Sequence, residues 1–266
     1  MAHSISLVSY ENLDEQVEAL ERDGYVYLPG VLSQEEIDSL CASMDKLEAL
    51  PDQFDRHQLP EENGYLNKCI NNTFNRDSQY LHLIDRPGVI EIEEAIHGQD
   101  CHVIGMTAWM TGPGRPEQSL HVDWQPISLP ADVMTDPRVR LPVFITTAHY
   151  YLDNVTEELG PTQFVPGSHR AGRPPGGDTD WQGTVPHSIL CSAGDVIIFR
   201  SEVWHRGSAN QSDRTRYLVQ VHYAMRMITQ KFPPYMNQFR FDPDILSVAN
   251  PRQRRLLGDH VQSSYD

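Results

Sequence analysis

The segment Leu120-His121-Val122-Asp123-Trp124 decides how the rest of the chain is interpreted. We interpret it as a β-strand, in which residues two positions apart point to the same side. His121 and Asp123 can then hold one metal ion between them. A His-x-Asp tripeptide is common by chance, so its surroundings have to support this interpretation.

A second candidate ligand lies further along the chain. The stretch Gly194-Asp195-Val196-Ile197-Ile198-Phe199-Arg200-Ser201-Glu202-Val203-Trp204-His205 ends in His205, 84 positions after His121, and Arg216 follows eleven positions later. Two histidines, one carboxylate and a downstream arginine are the components of a facial Fe(II) triad with an anchor for an anionic co-substrate. Arg214 would face the same side of a strand as Arg216, so strand parity alone does not separate the two arginines.

The region that contains these residues is predicted to be all-β. Between Cys101 and Met225, short apolar runs are separated by Gly, Pro and Asp, which is typical of a barrel or a sandwich. The stretch Gly167–Thr184 is rich in Gly and Pro and is predicted to be a long loop at the rim of the site. The predicted strands are Cys101–Met110, Leu120–Trp124, Leu141–Leu152, Thr162–Val165, Val185–Leu190, Val196–Phe199 and Thr215–Met225.

The N-terminal region is predicted to be mostly helical and to cover the sheet. A helix over Asn12–Arg22 should end at Gly24 and be followed by a strand at Tyr25–Pro29. Ser33-Gln34-Glu35-Glu36 is a capping box that starts a second helix. A further helix is expected from Asp85 to Gly98, with Pro87 near its first turn.

Length and composition indicate one soluble globular domain over residues 1–266. The chain has 39% hydrophobic and 22% charged residues, and a β-rich domain of this size commonly remains single. We divide it into N-terminal helices at about 10–98, a β core at about 100–226 and a tail of short helices at 227–266. We expect a monomer or a homodimer.

Charge and cysteine usage exclude several classes of function. The net charge of −16 argues against nucleic acid or anionic membranes as partners. The sequence has no run of eighteen apolar residues and no secretory signal pattern at its start, so a cytoplasmic protein is predicted. Cys41, Cys69, Cys101 and Cys191 form no Cys-x-x-Cys pair, and we expect free thiols rather than disulfides or a zinc site.

Taken together, the motifs resemble those of the phytanoyl-CoA dioxygenase family of Fe(II)/2-oxoglutarate enzymes. Each motif alone is weak, but their order is specific, and the resemblance extends roughly from Gly105 to Met225. In chain order the motifs are His121/Asp123, the turn Pro166–His169, Gly194/Asp195 with Phe199, then His205, Asn210 and Arg216.

The resemblance implies a double-stranded β-helix, the jelly-roll barrel also seen in cupins, with a metal near one open end. His121, Asp123 and His205 would bind Fe(II) and leave three octahedral positions for 2-oxoglutarate and O2. The family's spacing favours Arg216 over Arg214 as the residue that binds the far carboxylate of 2-oxoglutarate. A guanidinium suits that role because it makes two parallel charge-assisted hydrogen bonds.

Other residues are candidates for the substrate pocket or for contacts behind the metal ligands. These candidates are Gln118, Trp124, His149 and Tyr151. His222, like His149, lies on a predicted inner strand and has a supporting position. His169 is expected to make a structural hydrogen bond in its turn rather than to bind metal.

The resemblance also limits the reaction. In related halogenases a small residue replaces the carboxylate and frees a site for chloride, so Asp123 disfavours halogenation. The predicted reaction is oxidation, most simply hydroxylation, of an unactivated C–H bond, with release of succinate and CO2. Desaturation, epoxidation and ring formation are other outcomes of the same chemistry.

The predicted substrate is a small molecule, either an intermediate in the biosynthesis of specialised metabolites or an amino-acid-like compound. An acyl-CoA ranks lower because the sequence has no clear basic tract for the CoA phosphates. Two alternatives remain open: a non-catalytic jelly-roll binding protein, and a cupin-like metal enzyme independent of 2-oxoglutarate.

Overall fold

The computed structural model describes residues 3–4, 7–49, 64–232 and 239–260. In these residues the helices are α1 (Leu13–Asp23), α2 (Gln34–Lys46), α3 (Leu81–Ile84), α4 (Ile90–His97), α5 (Ala131–Met134), α6 (Pro243–Val248) and α7 (Pro251–Leu256). The strands are β1 (His3–Ser4), β2 (Tyr25–Leu28), β3 (Asn67–Asn71), β4 (His102–Thr111), β5 (Ile145–Tyr151), β6 (Thr162–Phe164), β7 (His187–Ser188), β8 (Val196–Arg200), β9 (His205–Gly207) and β10 (Arg216–Ala224).

The strands form two sheets. The larger has the order β2-β8-β5-β10-β4-β3, and all of its neighbouring strands are antiparallel. The smaller has the order β1-β7-β6-β9, in which only the β1–β7 pair is parallel. This confirms the expected mainly-β architecture with flanking helices.

Strand β10, in the larger sheet, shows how the sequence separates its two faces. Val219, Val221 and Tyr223 are fully buried in the largest hydrophobic core. The alternate residues Gln220 and His222 line a cavity on the other face. Successive side chains of a strand point to opposite faces, so one strand serves both the core and the cavity.

Helices α1 and α2 cover the core face of the larger sheet, as predicted. Asn12 caps α1 by accepting from the Glu15 N–H, and the helix ends at Gly24 with φ +88°. Ser33 and Glu36 form the predicted capping box of α2. Leu20 and Met44, one from each helix, are completely buried in the core, so burial of their apolar faces stabilises both helices.

The predicted strand over Leu120–Trp124 was wrong. This segment makes only an isolated bridge between His121 and His205. The N–H groups of Asp123 and Trp124 both donate to the carbonyl oxygen of Ser201, at 3.0 and 3.3 Å. Two consecutive N–H groups that share one acceptor cannot belong to an extended strand, in which they point in opposite directions.

Three other elements are shorter in the structure than predicted, because proline or glycine lies near their predicted ends. The helix expected from Asp85 begins at Ile90, after a turn in which Gly88 has φ +85°. The strand expected from Leu141 begins at Ile145, and the one at Val185–Leu190 shortens to β7. Pro142 and Pro186 have no N–H for a sheet ladder.

Strands β1, β3 and β9 were not predicted, because β3 is polar and β1 and β9 have only two and three residues. The tail contains α6 and α7, in agreement with the predicted short helices, whereas its residues 233–238 and 261–266 lie outside the described part. All four cysteines are free, as expected. Among the described residues, no helix is both long and apolar enough to cross a membrane.

Candidate active site

His121, Asp123 and His205 come together although 84 positions separate the two histidines. One potential ligand atom from each lies within 4.8 Å of the others. The two imidazole rings are 4.4 Å apart between centroids, and His205 Nε2 is 3.5 Å from Asp123 Oδ1. Reciprocal backbone hydrogen bonds of 2.9 Å between His121 and His205 hold the two segments together.

Backbone carbonyls set the protonation of both imidazoles. His121 Nδ1 lies 2.9 Å from the Ser119 oxygen, and His205 Nδ1 lies 2.9 Å from the Val203 oxygen. A carbonyl oxygen only accepts, so each Nδ1 carries the proton and each Nε2 keeps a lone pair when the ring is neutral. Two such nitrogens beside a carboxylate form a donor set that fits Fe(II).

The electrostatics of the three residues favour an ionised carboxylate between two imidazoles. Desolvation opposes the ionisation of Asp123, but the adjacent His205 outweighs it and holds the pKa of Asp123 well below its usual range. Burial lowers the pKa of His205, but Asp123 outweighs that effect and raises it. Burial and the neighbouring His205 lower the pKa of His121. The carboxylate of Asp123 therefore stays ionised, and a bound cation would compete with a proton for His205 Nε2.

Strand β5 supports Asp123 from behind. Thr147 Oγ1 lies 3.5 Å from Asp123 Oδ2 and 3.0 Å from His222 Nδ1. At 3.5 Å the contact with the carboxylate is weak. His222 itself lines the cavity, and Thr147 also links it to Asp123.

Arg216 is the arginine that faces the site. It is only 7% exposed, and its Nη1 donates to the Gly160 carbonyl oxygen. Its Nε has no hydrogen-bond partner, and no described carboxylate pairs with it. Burial lowers the pKa of Arg216 to about 10. Arg214 is exposed and precedes β10, which removes the ambiguity left by strand parity.

The triad and Arg216 share one cavity of about 340 Å³ between the two sheets. Of the four additional candidates, Gln118 and His149 line it. Gln118 Oε1 also accepts from the Gly207 N–H at 2.8 Å. The structure does not bring Trp124 or Tyr151 to the cavity wall.

Trp124 and Tyr151 are placed elsewhere for different reasons. Trp124 is 41% exposed and lies outside the residues that line the cavity. Tyr151 is 1% exposed and packs in a hydrophobic cluster with Phe164 and Phe199.

Several residues that line the cavity were not predicted from the sequence. A usable signal was the period of two along β10, since Leu218, Gln220 and His222 continue the face of Arg216. The others come from separate strands and loops, and no local pattern marks them. The additional lining residues include Asn67, Asn71, Thr107, Trp109, Arg115, Thr162, Leu218, Gln220 and Lys231.

The remaining motif residues stabilise the backbone around the site. Ser168 Oγ accepts from the Trp204 N–H at 2.8 Å and thus fixes the residue before His205. His169 is buried, with Nε2 3.0 Å from the Glu21 carbonyl oxygen, which confirms its structural role. A Cβ on Gly194 would lie 2.5 Å from the Leu32 oxygen, so the turn before β8 requires glycine.

Comparison with curated proteins finds distant relatives named dioxygenases. Dioxygenase trt7 of Aspergillus terreus is 28% identical over 157 residues, which are 58% of this chain and 50% of trt7. Dioxygenase aneA of Aspergillus aculeatus is 27% identical over 275 residues, 97% of this chain and 86% of aneA. The chain thus spans half of one relative and most of the other.

Solved structures with the same fold have low sequence identity. The α-ketoglutarate-dependent epimerase SnoN of nogalamycin biosynthesis matches with a TM-score of 0.63 and 20% identity, over 80% of each chain. HygX of Streptomyces hygroscopicus, solved with nickel, 2-oxoglutarate and hygromycin B, has a TM-score of 0.63 and 15% identity, over 81% of this chain and 88% of HygX. These likenesses confirm the jelly-roll fold.

The profile of the phytanoyl-CoA dioxygenase (PhyH) family matches residues 20–218. This match includes both segments of the triad and the beginning of β10. It extends beyond the motifs to the N-terminal helices and covers most of the chain. The chain belongs to the phytanoyl-CoA dioxygenase family.

Proposed function

We propose that the protein is an Fe(II)- and 2-oxoglutarate-dependent dioxygenase that oxidises a C–H bond of a small molecule and releases succinate and CO2. The observation that carries this proposal is the joint presence, in one cavity, of the His121/Asp123/His205 cluster and of Arg216, which has no carboxylate partner among the described residues. Family membership supports the same class of enzyme. We take the whole chain as one catalytic domain.

The donor set fits the metal and its co-substrate. His121 and His205 would bind iron through Nε2 and Asp123 through its carboxylate, which leaves three coordination positions open. When bound, the iron with 2-oxoglutarate and O2 supplies an oxidant strong enough for an unactivated C–H bond. Asp123 fills the position that a halide would need, so oxidation without halogenation is proposed.

The protein's own groups bind and orient the keto acid. Arg216 offers a buried guanidinium, and a charge-assisted pair is stronger there than in water. The cavity walls shield Arg216 and His205 from solvent, since these residues are 7% and 5% exposed, whereas His121 is half-buried and Asp123 is exposed. Arg216 and His205 would therefore hold the co-substrate and one metal ligand in the desolvated part of the site.

The lining of the cavity favours a polar substrate of modest size. About 340 Å³ is near the lower end of the range for small-molecule sites. Away from Arg216, the wall includes Asn67, Thr107 and Lys231, so a substrate with hydroxyl, amide or anionic groups would find partners. This polarity ranks a free polar metabolite above a long apolar acyl chain.

The relatives support specialised metabolism and keep the reaction outcome open. The solved neighbours include an epimerase and a carbocyclase of nogalamycin biosynthesis, and HygX was solved with hygromycin B. Hydroxylation remains the proposed outcome, and the product analysis has to distinguish it from epimerisation and ring closure.

The test is keto-acid consumption by protein purified without oxygen and reconstituted with Fe(II). We expect succinate formation that requires both 2-oxoglutarate and O2 and that rises with the right substrate from a library of polar metabolites. Keto-acid binding without any succinate would support the non-catalytic alternative. Oxygen uptake without 2-oxoglutarate would support a cupin-like enzyme, and either result would overturn the proposal.

A further inference from the structure

A row of side chains crosses the cavity wall from β4 through β10 to β5. Thr107 lies opposite Gln220, and Gln220 lies opposite His149. Gln220 Oε1 accepts from Trp109 Nε1 and from Thr107 Oγ1, both at 3.0 Å. Gln220 Nε2 is 2.8 Å from His149 Nε2.

This row fixes the tautomer of His149. The indole N–H of Trp109 only donates, so the atom that faces it has to be the amide oxygen of Gln220. The amide nitrogen of Gln220 then faces His149 and donates to it. His149 Nε2 is therefore the acceptor, and the proton of the neutral ring is on Nδ1.

The resulting Nδ1–H of His149 is a buried donor. The ring is 4% exposed, and Nδ1 has no hydrogen-bond partner in the part of the chain that the structure describes. Burial lowers the pKa of His149 well below its usual value, which is consistent with a neutral ring. A buried donor without an acceptor costs free energy, and such groups need a specific explanation.

The position of His149 supplies that explanation. It lines the same cavity as the metal cluster and Arg216, and its ring packs edge-on against Phe199 with centroids 4.7 Å apart. Arg216, which lines the same cavity, has a second buried donor, Nε, without a partner among the described residues. Two such donors on residues that line one cavity point to a ligand rich in acceptor atoms.

We propose that the Nδ1–H of His149 donates a hydrogen bond to a carboxylate oxygen of bound 2-oxoglutarate, and that Trp109 and Gln220 hold the tautomer that makes this possible. The inference rests on the proposed function, because it assumes that the keto acid occupies the cavity. It assigns a second keto-acid contact in addition to Arg216. Trp109 and Gln220 are positioning residues, since they act through His149.

The first test is anaerobic titration of the Fe(II) protein with 2-oxoglutarate, followed by the metal-to-keto-acid charge-transfer band. His149→Leu removes the donor and should raise the dissociation constant of 2-oxoglutarate by about tenfold to a hundredfold. The affinity for Fe(II), titrated separately, should stay the same. His149→Asn places an amide N–H near the original Nδ1 and should restore most of the affinity.

The second test measures the tautomer and does not depend on activity. Imidazole ¹⁵N spectra of the Zn(II)- and 2-oxoglutarate-loaded protein should show His149 protonated on Nδ1 and unprotonated on Nε2. Trp109→Phe frees Gln220 to rotate, so this variant should show both tautomers and a severalfold weaker affinity for the keto acid. An Nε2-protonated ring in the wild type would overturn the inference.

The outcomes separate this inference from the proposed function. If the wild type gives no charge-transfer band and binds no 2-oxoglutarate, both are wrong. If the wild type binds the keto acid and folded His149→Leu binds it equally well, the inference alone is wrong. If His149→Leu does not fold, Trp109→Phe decides in its place, and unchanged affinity and tautomer there would contradict the inference.

Discussion

The two faces of the larger sheet use their polar groups in opposite ways. On the helix-covered face, Tyr223 is fully buried but its hydroxyl lies 3.2 Å from the Leu83 oxygen and 3.1 Å from the Ile84 oxygen. On the cavity face, Arg216 Nε and His149 Nδ1 have no partner among the residues described. Tyr223 on one face therefore has acceptors for its hydroxyl, whereas Arg216 and His149 on the other face each keep a donor without a described partner.

The difference indicates that the apolar face contributes mainly to stability and the cavity face mainly to ligand binding. The apolar face gains free energy from burial, whereas the cavity face keeps buried polar groups that destabilise the empty protein. A ligand that supplies acceptors would remove this cost and gain affinity from it. Variants of the two faces should therefore have separable effects on stability and on ligand binding.

The largest expected effect on the cavity face comes from the metal cluster. His205→Ala removes one of the two imidazoles proposed as metal ligands, and keto-acid-dependent succinate release should fall on the order of a hundredfold or more. The free energy of unfolding of the metal-free protein should change little. His82→Ala, on an exposed helix position, is the matched control, and wild-type succinate release by His205→Ala would contradict the metal assignment.

On the opposite face, Ile198→Ala should lower the stability of the fold and leave ligand binding unchanged. Ile198 is completely buried between Val26 and Ala148 of the neighbouring strands. Truncation to alanine should lower the free energy of unfolding by about 2–5 kcal/mol, measured by urea denaturation. The 2-oxoglutarate affinity of the folded fraction should be unchanged, and a large loss would show that the two faces are coupled.

Arg216→Leu should weaken binding without weakening the fold. It removes the guanidinium that we propose pairs with the far carboxylate of 2-oxoglutarate, an expected loss of about 1.5–3 kcal/mol in keto-acid binding. Without keto acid, the variant should be at least as stable as the wild type, because a buried cation without a carboxylate partner is replaced by an apolar group. Thermal unfolding with and without 2-oxoglutarate tests both statements. A larger binding defect in Arg214→Leu would identify the other arginine.

The smallest effect is expected at the helical cover of the apolar face. The hydrogen bond from Arg86 lowers the pKa of Glu36 to about 2, and the Ser33 backbone N–H adds to this effect. Because the folded pKa is below the unfolded one, ionised Glu36 stabilises the protein above about pH 4.5, and this contribution is lost as the pH falls toward 2. Glu36→Gln should cost at most about 1 kcal/mol at neutral pH, and its stability difference from wild type should disappear in acid.

The sequence predicted the metal cluster better than the pocket around it. His121, Asp123, His205 and Arg216 were identified because their motifs are local and their order is specific. The contact between Trp109 and Gln220 depends on how β4 and β10 pair across 111 positions, and no local pattern encodes that register.

The prediction of the pocket was also wrong where it relied on a sequence neighbour of a proposed metal ligand. Trp124 was a candidate because it follows Asp123, yet its side chain is 41% exposed and does not line the cavity. The strand predicted for this segment failed for a related reason, since its partner is the short β9 and a turn at Ser201 rather than a long strand. Tertiary contacts, rather than local composition, determine both the exposure of Trp124 and the conformation of its segment.

The reciprocal hydrogen bonds between His121 and His205 have a consequence for folding. Closing a chain loop of 84 residues costs entropy on the order of 4 kcal/mol, so these two segments meet only once the pairing of the strands has repaid that cost. A denatured chain holds no preassembled ligands, and iron would arrive after the barrel has closed. The refolding rate should then be the same with and without Fe(II). The metal should stabilise the folded protein after folding is complete and should not initiate folding.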